Sequence, residues 1–286
     1  PGFVKRMAET RQGNRGSLPF DPVDPRDVKY YRNQDTHWWA ESDDPFAWRE
    51  GLPFVRVGLA EMILMGGGLL VLALVLGLLW WPLSLPPLVL SGLVGWFFRN
   101  PLRQIPEQIG SVVAPADGKL VKIESLEDPE LGPCIQFSIF LSIFNVHANR
   151  SSLPGRVLAI RYVPGRSLNA FRPESARENE NLDVVMLDEE GITRDEQGRK
   201  FRIRQITGQF ARRIVCWVRP GDVLGRGEMY GMIKLGSRTE LVIPQHPSLE
   251  IAAAVGDKVR AGTTMLARYR PLVRNPNHPS NASNHR

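Results

Sequence analysis

The sequence predicts a mainly β fold: a β-sandwich-like domain preceded by an N-terminal apolar helical hairpin. Three observations point there. From Met62 to Phe98 no charged residue occurs. Beyond Arg103 the chain breaks into short runs rich in Val, Ile and Phe, punctuated by Gly, Pro, Asp and Asn. No segment after residue 100 carries the 3.6-residue apolar period of a long amphipathic helix. The 286 residues are 43% hydrophobic and 23% charged, which supports a buried core and excludes a wholly disordered chain. The two cysteines, Cys134 and Cys216, form no C-x-x-C pair, which excludes a disulfide scaffold and a zinc ribbon. Both are expected to be reduced, buried thiols.

Residues 1–50 form a polar leader rich in Pro, Arg and Asp, expected to be poorly ordered. Residues 51–103 hold the hairpin. Its first arm, Met62 to Leu79, is long enough to cross a bilayer core, which takes about 20 apolar residues. Trp80, Trp81, Pro82, Pro86 and Pro87 then mark a turn, because proline inside a helix costs about 3 kcal/mol. The second arm, Leu88 to Phe98 with Leu83 to Leu85 open as an addition, is short, and both a strained crossing and a re-entrant path are open to it. Arg49 and Arg56 precede the hairpin, and Arg99 and Arg103 follow it. The positive-inside rule therefore puts both ends at the cytoplasmic face of the cell membrane, with Trp80 and Trp81 at the far interface. The net charge of +6 asks for an anionic partner. The arginines are scattered and no nucleic-acid motif is present, so an anionic membrane surface is expected and nucleic acid is not.

Residues 104–271 form the expected β domain, and 272–286 a disordered tail. The strand candidates are Ser111–Ala114, Gly118–Ile123, Ile135–Val146, Arg156–Tyr162, Leu182–Leu187, Phe201–Ile206, Arg213–Val218 and Thr239–Ile243. Two segments share the frame G-D-x-[V/L]-x-x-G: Gly221 to Gly227 and Gly256 to Gly262. A Gly-Asp turn before a short apolar strand is a hairpin device, with glycine taking positive φ. Such turns resemble those of biotinyl and lipoyl carrier domains, which are small β-sandwiches. Gly-Asp turns are common, so the repeat is weak evidence when taken alone.

One segment suggests chemistry. In Gly231-Met-Ile-Lys-Leu-Gly-Ser-Arg-Thr-Glu-Leu-Val-Ile243 a Gly-Ser pair lies between two apolar stretches, and in an arbitrary sequence it would be a plain turn. Gly227 to Arg238 (GEMYGMIKLGSR), however, resembles the self-processing site of phosphatidylserine decarboxylases, most of all the short, type A form that ends in Gly-Ser-Arg. The similarity runs from about residue 53 to 271. It includes the apolar hairpin, Phe97-Phe-Arg-Asn-Pro101, Ala114-Pro-Ala-Asp-Gly118, Phe140 to His147, Asn149-Arg150, Glu178-Asn-Glu180, Ala211 to Cys216 and Val255 to Gly262.

The resemblance implies a proenzyme. The Ser237 hydroxyl attacks the Gly236 carbonyl, the chain is cut between them, and Ser237 becomes a pyruvoyl group. The fragments 1–236 and 237–286 are expected to stay together as a heterodimer. The pyruvoyl ketone then takes up the amine of the phosphatidylserine head group and accepts the electrons released as CO2 leaves, yielding phosphatidylethanolamine. His147 is the expected acid/base, with an ordinary pKa of ~6.5 near neutrality. Asp117 is the candidate to orient an imidazole. Larger family members carry H-x-x-H and credit the second His to a self-cleavage relay; here Arg150 holds that place, and arginine cannot act as an ordinary base. Arg212, Arg213 and Arg238 are the candidate ligands of the lipid phosphate. No metal is expected, since the five histidines lack metal-ligand spacing. The alternative is a membrane-tethered lipoyl-like carrier or adaptor, which would need an exposed lysine at a hairpin tip; Lys234 is nearby, but no Met-Lys-Met appears.

Overall fold

The computed structural model describes residues 52–166, 168, 175–190, 199–209, 213–234 and 236–270. The polar leader and the tail of the sequence reading lie outside the described residues.

Two apolar helices open the described chain. Helix α1 spans Arg56–Leu79 and helix α2 spans Trp81–Phe97. They lie against each other through small residues: the Ser91 hydroxyl donates to the Gly66 carbonyl at 3.0 Å. The break between them is far shorter than the prolines suggest. Only Trp80 leaves helical geometry, with φ −162° and ψ 116°. Pro82 falls in the opening turn of α2, and Pro86 and Pro87 in the first turn of its α-helical part. Pro86 and Pro87 thus sit where the tighter opening turn gives way to the α-helix, before the first α-helical hydrogen bond is due. The second arm is therefore a helix that starts at Trp81, not at Leu88. Most of the apolar side chains of both helices face outward, Leu78, Leu79, Trp81 and Val89 among them.

The hairpin closes at its base. Val55 N donates to Phe98 O at 2.8 Å and Asn100 N to Pro53 O at 2.7 Å. Val55 and Phe98 pack there with Val146, Ala148 and Met232 of the β domain.

The β domain begins with β1 (Ser111–Val113), β2 (Gly118–Asp128) and β3 (Gly132–Leu141). Then come β4 (Ala148–Arg150), β5 (Gly155–Val163), β6 (Asn181–Asp188), β7 (Lys200–Thr207), β8 (Arg213–Cys216), β9 (Val223–Leu224) and β10 (Met229–Lys234). The last are β11 (Ser237–Pro244), β12 (Leu249–Ile251), β13 (Lys258–Val259) and β14 (Met265–Tyr269). An eight-stranded antiparallel sheet, curled, has the order β13-β2-β3-β11-β7-β6-β5-β9, and two three-stranded sheets have the orders β1-β14-β12 and β4-β10-β8. The expected strand Ile135–Val146 stops at Leu141. Asn145 ends it by accepting from the amide and the hydroxyl of Ser142, both at 2.8 Å.

These orders are palindromic. Strands β4 to β10 repeat β1, β2, β3, β11, β12, β13 and β14 about a pseudo-twofold axis between β7 and β11. The Gly-Asp repeat marks the equivalence. Gly221 N donates to Val157 O at 2.8 Å, and Gly256 N to Leu120 O at 2.7 Å. Asp222 accepts from Arg219 N at 2.8 Å and Asp257 from Ala254 N at 2.9 Å. Even the irregularities match, with β5 bulging between Val157 and Ala159 and β2 between Leu120 and Lys122. One half, β4 to β10, is thus inserted into the other, between β3 and β11. The chain enters the inserted half through residues 142–147, after β3, and leaves it between β10 and β11.

The core lies inside the curl of the large sheet, built from Phe137, Ile139, Leu141, Leu182, Met186, Phe201, Ile203 and Leu241 among others. Cys134 and Cys216 are free and buried, as expected. Burial pushes their thiols up to about 11 and about 12, respectively, so neither is a thiolate near neutral pH.

Candidate active site

The two crossings carry the two principal candidates. His147 ends the inward crossing and Ser237 begins the strand after the outward one. Strand β10, which precedes Ser237 in the chain, runs beside the start of β4: Ile233 N donates to His147 O at 3.4 Å.

Gly236 has φ +63°, in the left-handed region, and a Cβ placed on it would touch nothing within 4 Å. Glycine reaches that conformation without strain and leaves the carbonyl that follows open to approach. Ser237 is 0% exposed. Its Oγ has no hydrogen-bond partner among the described residues. A buried hydroxyl left unpartnered costs stability, and it leaves the Ser237 oxygen uncommitted to any structural bond.

Strand β11 holds Ser237 rigidly. Ser237 pairs with Leu141 of β3 on one side and with Thr207 of β7 on the other. By the two-residue alternation of a strand, Thr239 shares the face of Ser237. Its hydroxyl accepts from Asn149 Nδ2 of β4 at 3.2 Å, and Asn149 Oδ1 accepts from Gln205 Nε2 at 2.7 Å. Gly231 makes room for that amide: a Cβ there would stand 3.0 Å from Gln205 Nε2 and 2.6 Å from the Val215 carbonyl. This Asn149–Gln205–Thr239 chain clamps β4, which follows His147, to β11, which carries Ser237. The sequence reading missed the clamp, although the alternation Ser237-x-Thr239 was visible.

His147 is also 0% exposed. Its Nδ1 lies 2.9 Å from the Asn145 carbonyl, which makes Nδ1 the protonated nitrogen. Nε2 is then the basic nitrogen, and it is buried without a hydrogen-bond partner among the described residues. Phe97 covers the ring, with centroids 4.5 Å apart. Burial depresses the imidazole pKa to about 4, with the positive charge of Arg99 adding to the effect and the Asn145 carbonyl opposing it. The imidazole is therefore neutral across the physiological range.

Asp117 is engaged elsewhere. Its two oxygens accept from Arg103 at 2.9 and 2.8 Å, and Oδ1 also accepts from Ala261 N at 2.8 Å. The imidazole of His147 is oriented by a backbone carbonyl instead. Arg150 is likewise structural: its guanidinium donates to the Gly227 carbonyl and to Asn100 Oδ1, both at 2.8 Å.

The three arginines separate. Arg212 lies outside the described residues. Arg213 stands on β8 at the hairpin base, its side chain 60% exposed and 3.6 Å from Glu61 of α1. Arg238 does not reach the Ser237 side. Alternation turns it to the opposite face of β11, where it is buried 3.9 Å from Glu240. Lys234, the lysine that a carrier domain would present, is largely buried and paired with Glu61. Among the described residues no group of His, Cys, Asp and Glu could hold a metal ion.

The similarity to known proteins covers this architecture. The phosphatidylserine decarboxylase family model matches residues 90–267. A phosphatidylserine decarboxylase proenzyme of Rhodopirellula baltica is 63% identical over 243 residues, covering 85% of this chain and 99% of that protein. Proteins of the same name from Nitrosomonas eutropha and Syntrophus aciditrophicus are 38% and 39% identical, each over 79% of this chain and over 96% and 99% of their own lengths. The matched residues 90–267 take in the large sheet, Gly236 and Ser237, and the chain belongs to the phosphatidylserine decarboxylase family.

Proposed function

We propose that this chain is the proenzyme of a membrane-bound, pyruvoyl-dependent carboxy-lyase that converts phosphatidylserine to phosphatidylethanolamine and CO2. The observation that carries the reading is the pair Gly236–Ser237: a left-handed glycine, open around its Cα, joined to a buried serine with an unpartnered hydroxyl.

Maturation uses the chain's own atoms. Ser237 Oγ adds to the Gly236 carbonyl carbon, and the Gly236–Ser237 C–N bond breaks to leave an ester. Removal of the Ser237 Cα proton expels the Gly236 carboxylate. Water then releases ammonia from the resulting dehydroalanine and leaves a pyruvoyl group at the new N-terminus. His147 Nε2, neutral and unpartnered, is the base for these proton transfers. Asp117 supports the site indirectly, by fixing Arg103 and the turn before β2. The fragments 1–236 and 237–286 remain a heterodimer because β11 keeps β3 and β7 as neighbours on both sides after the cut.

In the mature enzyme the pyruvoyl group supplies an electron sink for the charge left when CO2 departs. The protein supplies the rest. Phe97 and the sheet exclude water around position 237, which favours loss of a carboxylate from a poorly solvating site. His147 Nε2 takes the proton that the substrate amine gives up on binding and returns it to the substrate carbon after CO2 leaves. Arg213, exposed at the hairpin base, offers a guanidinium to the lipid phosphate. The hairpin, residues 51–103, inserts from the cytoplasmic face and keeps the head group near the site, raising its local concentration.

The deciding experiment is intact-mass analysis of natively matured protein under denaturing conditions. Two chains are expected, the shorter beginning with pyruvoyl in place of Ser237, together with release of CO2 from phosphatidylserine. A single continuous chain from active preparations would overturn the reading.

A further inference from the structure

The turn that carries the chain from β3 to His147 has an unusual composition. Asn145 locks it, accepting twice from Ser142, while Asn145 N donates back to Ser142 O at 3.0 Å. Between these fixed ends Ile143 and Phe144 point outward, 50% and 63% exposed. Solvent-facing turns are built from Gly, Asn, Asp, Ser and Pro; two large apolar side chains at a rigid tip are not needed by the turn itself.

Their surroundings indicate what covers them. The Phe144 carbonyl accepts from the Arg99 guanidinium at 2.8 Å. That guanidinium also stands 4.0 Å from the ring centre of Trp96, in the last turn of α2. Trp96 is itself 54% exposed. Trp96, Arg99, Phe144 and Ile143 thus form one continuous exposed edge at the foot of the apolar hairpin. Aromatic side chains interleaved with arginine are the composition of a membrane–water interface.

We propose that the Ile143–Phe144 turn is a second, shallow membrane contact, dipping into the head-group boundary of an anionic bilayer beside the hairpin. The inference rests on the reading that the hairpin inserts and that the substrate is a lipid. The occupant is the bilayer surface itself: the edge is continuous with the exposed apolar faces of α1 and α2, and Arg99 matches an anionic leaflet. The consequence for catalysis is positional. Asn145, the last residue of the turn, holds the His147 imidazole through its carbonyl. The depth of the turn therefore sets the height of the imidazole relative to the head groups, so that a lipid need not leave the leaflet to meet it.

Two measurements test this on the full matured protein. Phe144→Cys, labelled with an environment-sensitive fluorophore, reads depth; the native Cys134 and Cys216 are buried and stay unlabelled. In vesicles of phosphatidylcholine and phosphatidylserine the label is expected to be quenched by shallow spin-labelled lipid and shielded from aqueous iodide. Free access of iodide with no lipid quenching overturns the proposal, as does shielding that appears only at high protein density in the vesicles, which would mean a second copy covers the turn. The second measurement compares substrates. For Ile143→Ser combined with Phe144→Ser, KM for phosphatidylserine in vesicles is expected to rise about tenfold, with kcat within about twofold. Turnover of short-chain phosphatidylserine below its micelle concentration should match the parent. Equal loss on both substrates, or none on either, overturns the proposal. If the parent decarboxylates neither substrate, the proposed function falls, while the fluorescence result still decides the membrane contact.

Discussion

Phe97, the last residue of α2, lies on the imidazole of His147, with ring centroids 4.5 Å apart and planes tilted by 39°. A residue of the apolar hairpin thereby forms a wall of the candidate active site. The hairpin is joined to the scissile region a second time, through the ion pair between Glu61 of α1 and Lys234 at the end of β10. A tether alone would need neither contact. Both join the candidate site to the foot of the apolar hairpin.

Replacing Phe97 by Leu keeps apolar bulk and removes the ring face. The imidazole should gain solvent and its pKa should rise from about 4 toward its ordinary value. The charge that acts on it is that of Arg99, which does not change in this variant. The expected outcome is a matured protein with kcat lowered roughly fivefold and the acid limb of its pH profile moved upward. Phe97→Tyr should restore both. An unmoved acid limb in Phe97→Leu would remove the ring from the mechanism.

The depressed pKa of His147 also has a consequence for stability. Unfolded, the imidazole binds a proton below about 6.5; folded, it does so only below about 4. Between these values the unfolded state holds more protons, so stability falls as pH falls. The contribution is intact above pH ~6.5, and the loss amounts to about 3 kcal/mol by pH ~4. His147→Gln should abolish that part of the acid sensitivity. Thermal unfolding at pH 7.5 and 5 checks it: the drop in Tm between the two should be smaller in the variant.

At the cut site, Gly236→Ala separates backbone strain from crowding. A methyl there meets no atom within 4 Å, so only the φ of +63° resists it. The cost is about 1 kcal/mol, too small to unfold the domain. The expected outcome is a folded proenzyme that is cut roughly tenfold more slowly, read by pulse-chase on denaturing gels. Ser237→Ala should give no cut and no turnover. Cleavage of Gly236→Ala at the parental rate would show that the left-handed glycine is not needed for the attack.

Much of this was legible in the chain, for physical reasons that also mark the limits. The strands β2, β5, β6, β7 and β11 announce themselves because one face is apolar core and runs of Val and Ile record it. Strands β9 and β13 have two residues each and leave no periodic trace. The second arm of the hairpin was read too short because proline was treated as a helix breaker, whereas the first turn of a helix accepts it. Ser237 and His147 stood out through motif. Asp117 did not behave as its motif suggested, because Arg103 and the Ala261 amide compete for its carboxylate, and neither is near it in sequence. The clamp of Asn149, Gln205 and Thr239 joins three strands and needs the fold to be seen.

The duplicated architecture makes its own prediction. Gly221 and Gly256 occupy equivalent turns, with φ of +99° and +106°, and a Cβ at either would touch nothing within 4 Å. Only conformational strain should oppose alanine at these sites, and the strain should be the same at both. Each substitution is expected to cost about 1–2 kcal/mol. The turns bound opposite edges of the large sheet, on β9 and β13, so the double variant should show the sum within about 0.5 kcal/mol. Because both glycines lie away from Ser237 and His147, self-cleavage should proceed as in the parent. Thermal unfolding of the two single variants and the double variant measures this directly. Unequal costs would mean that the two halves, alike in hydrogen bonding, are not alike in how firmly their turns are held.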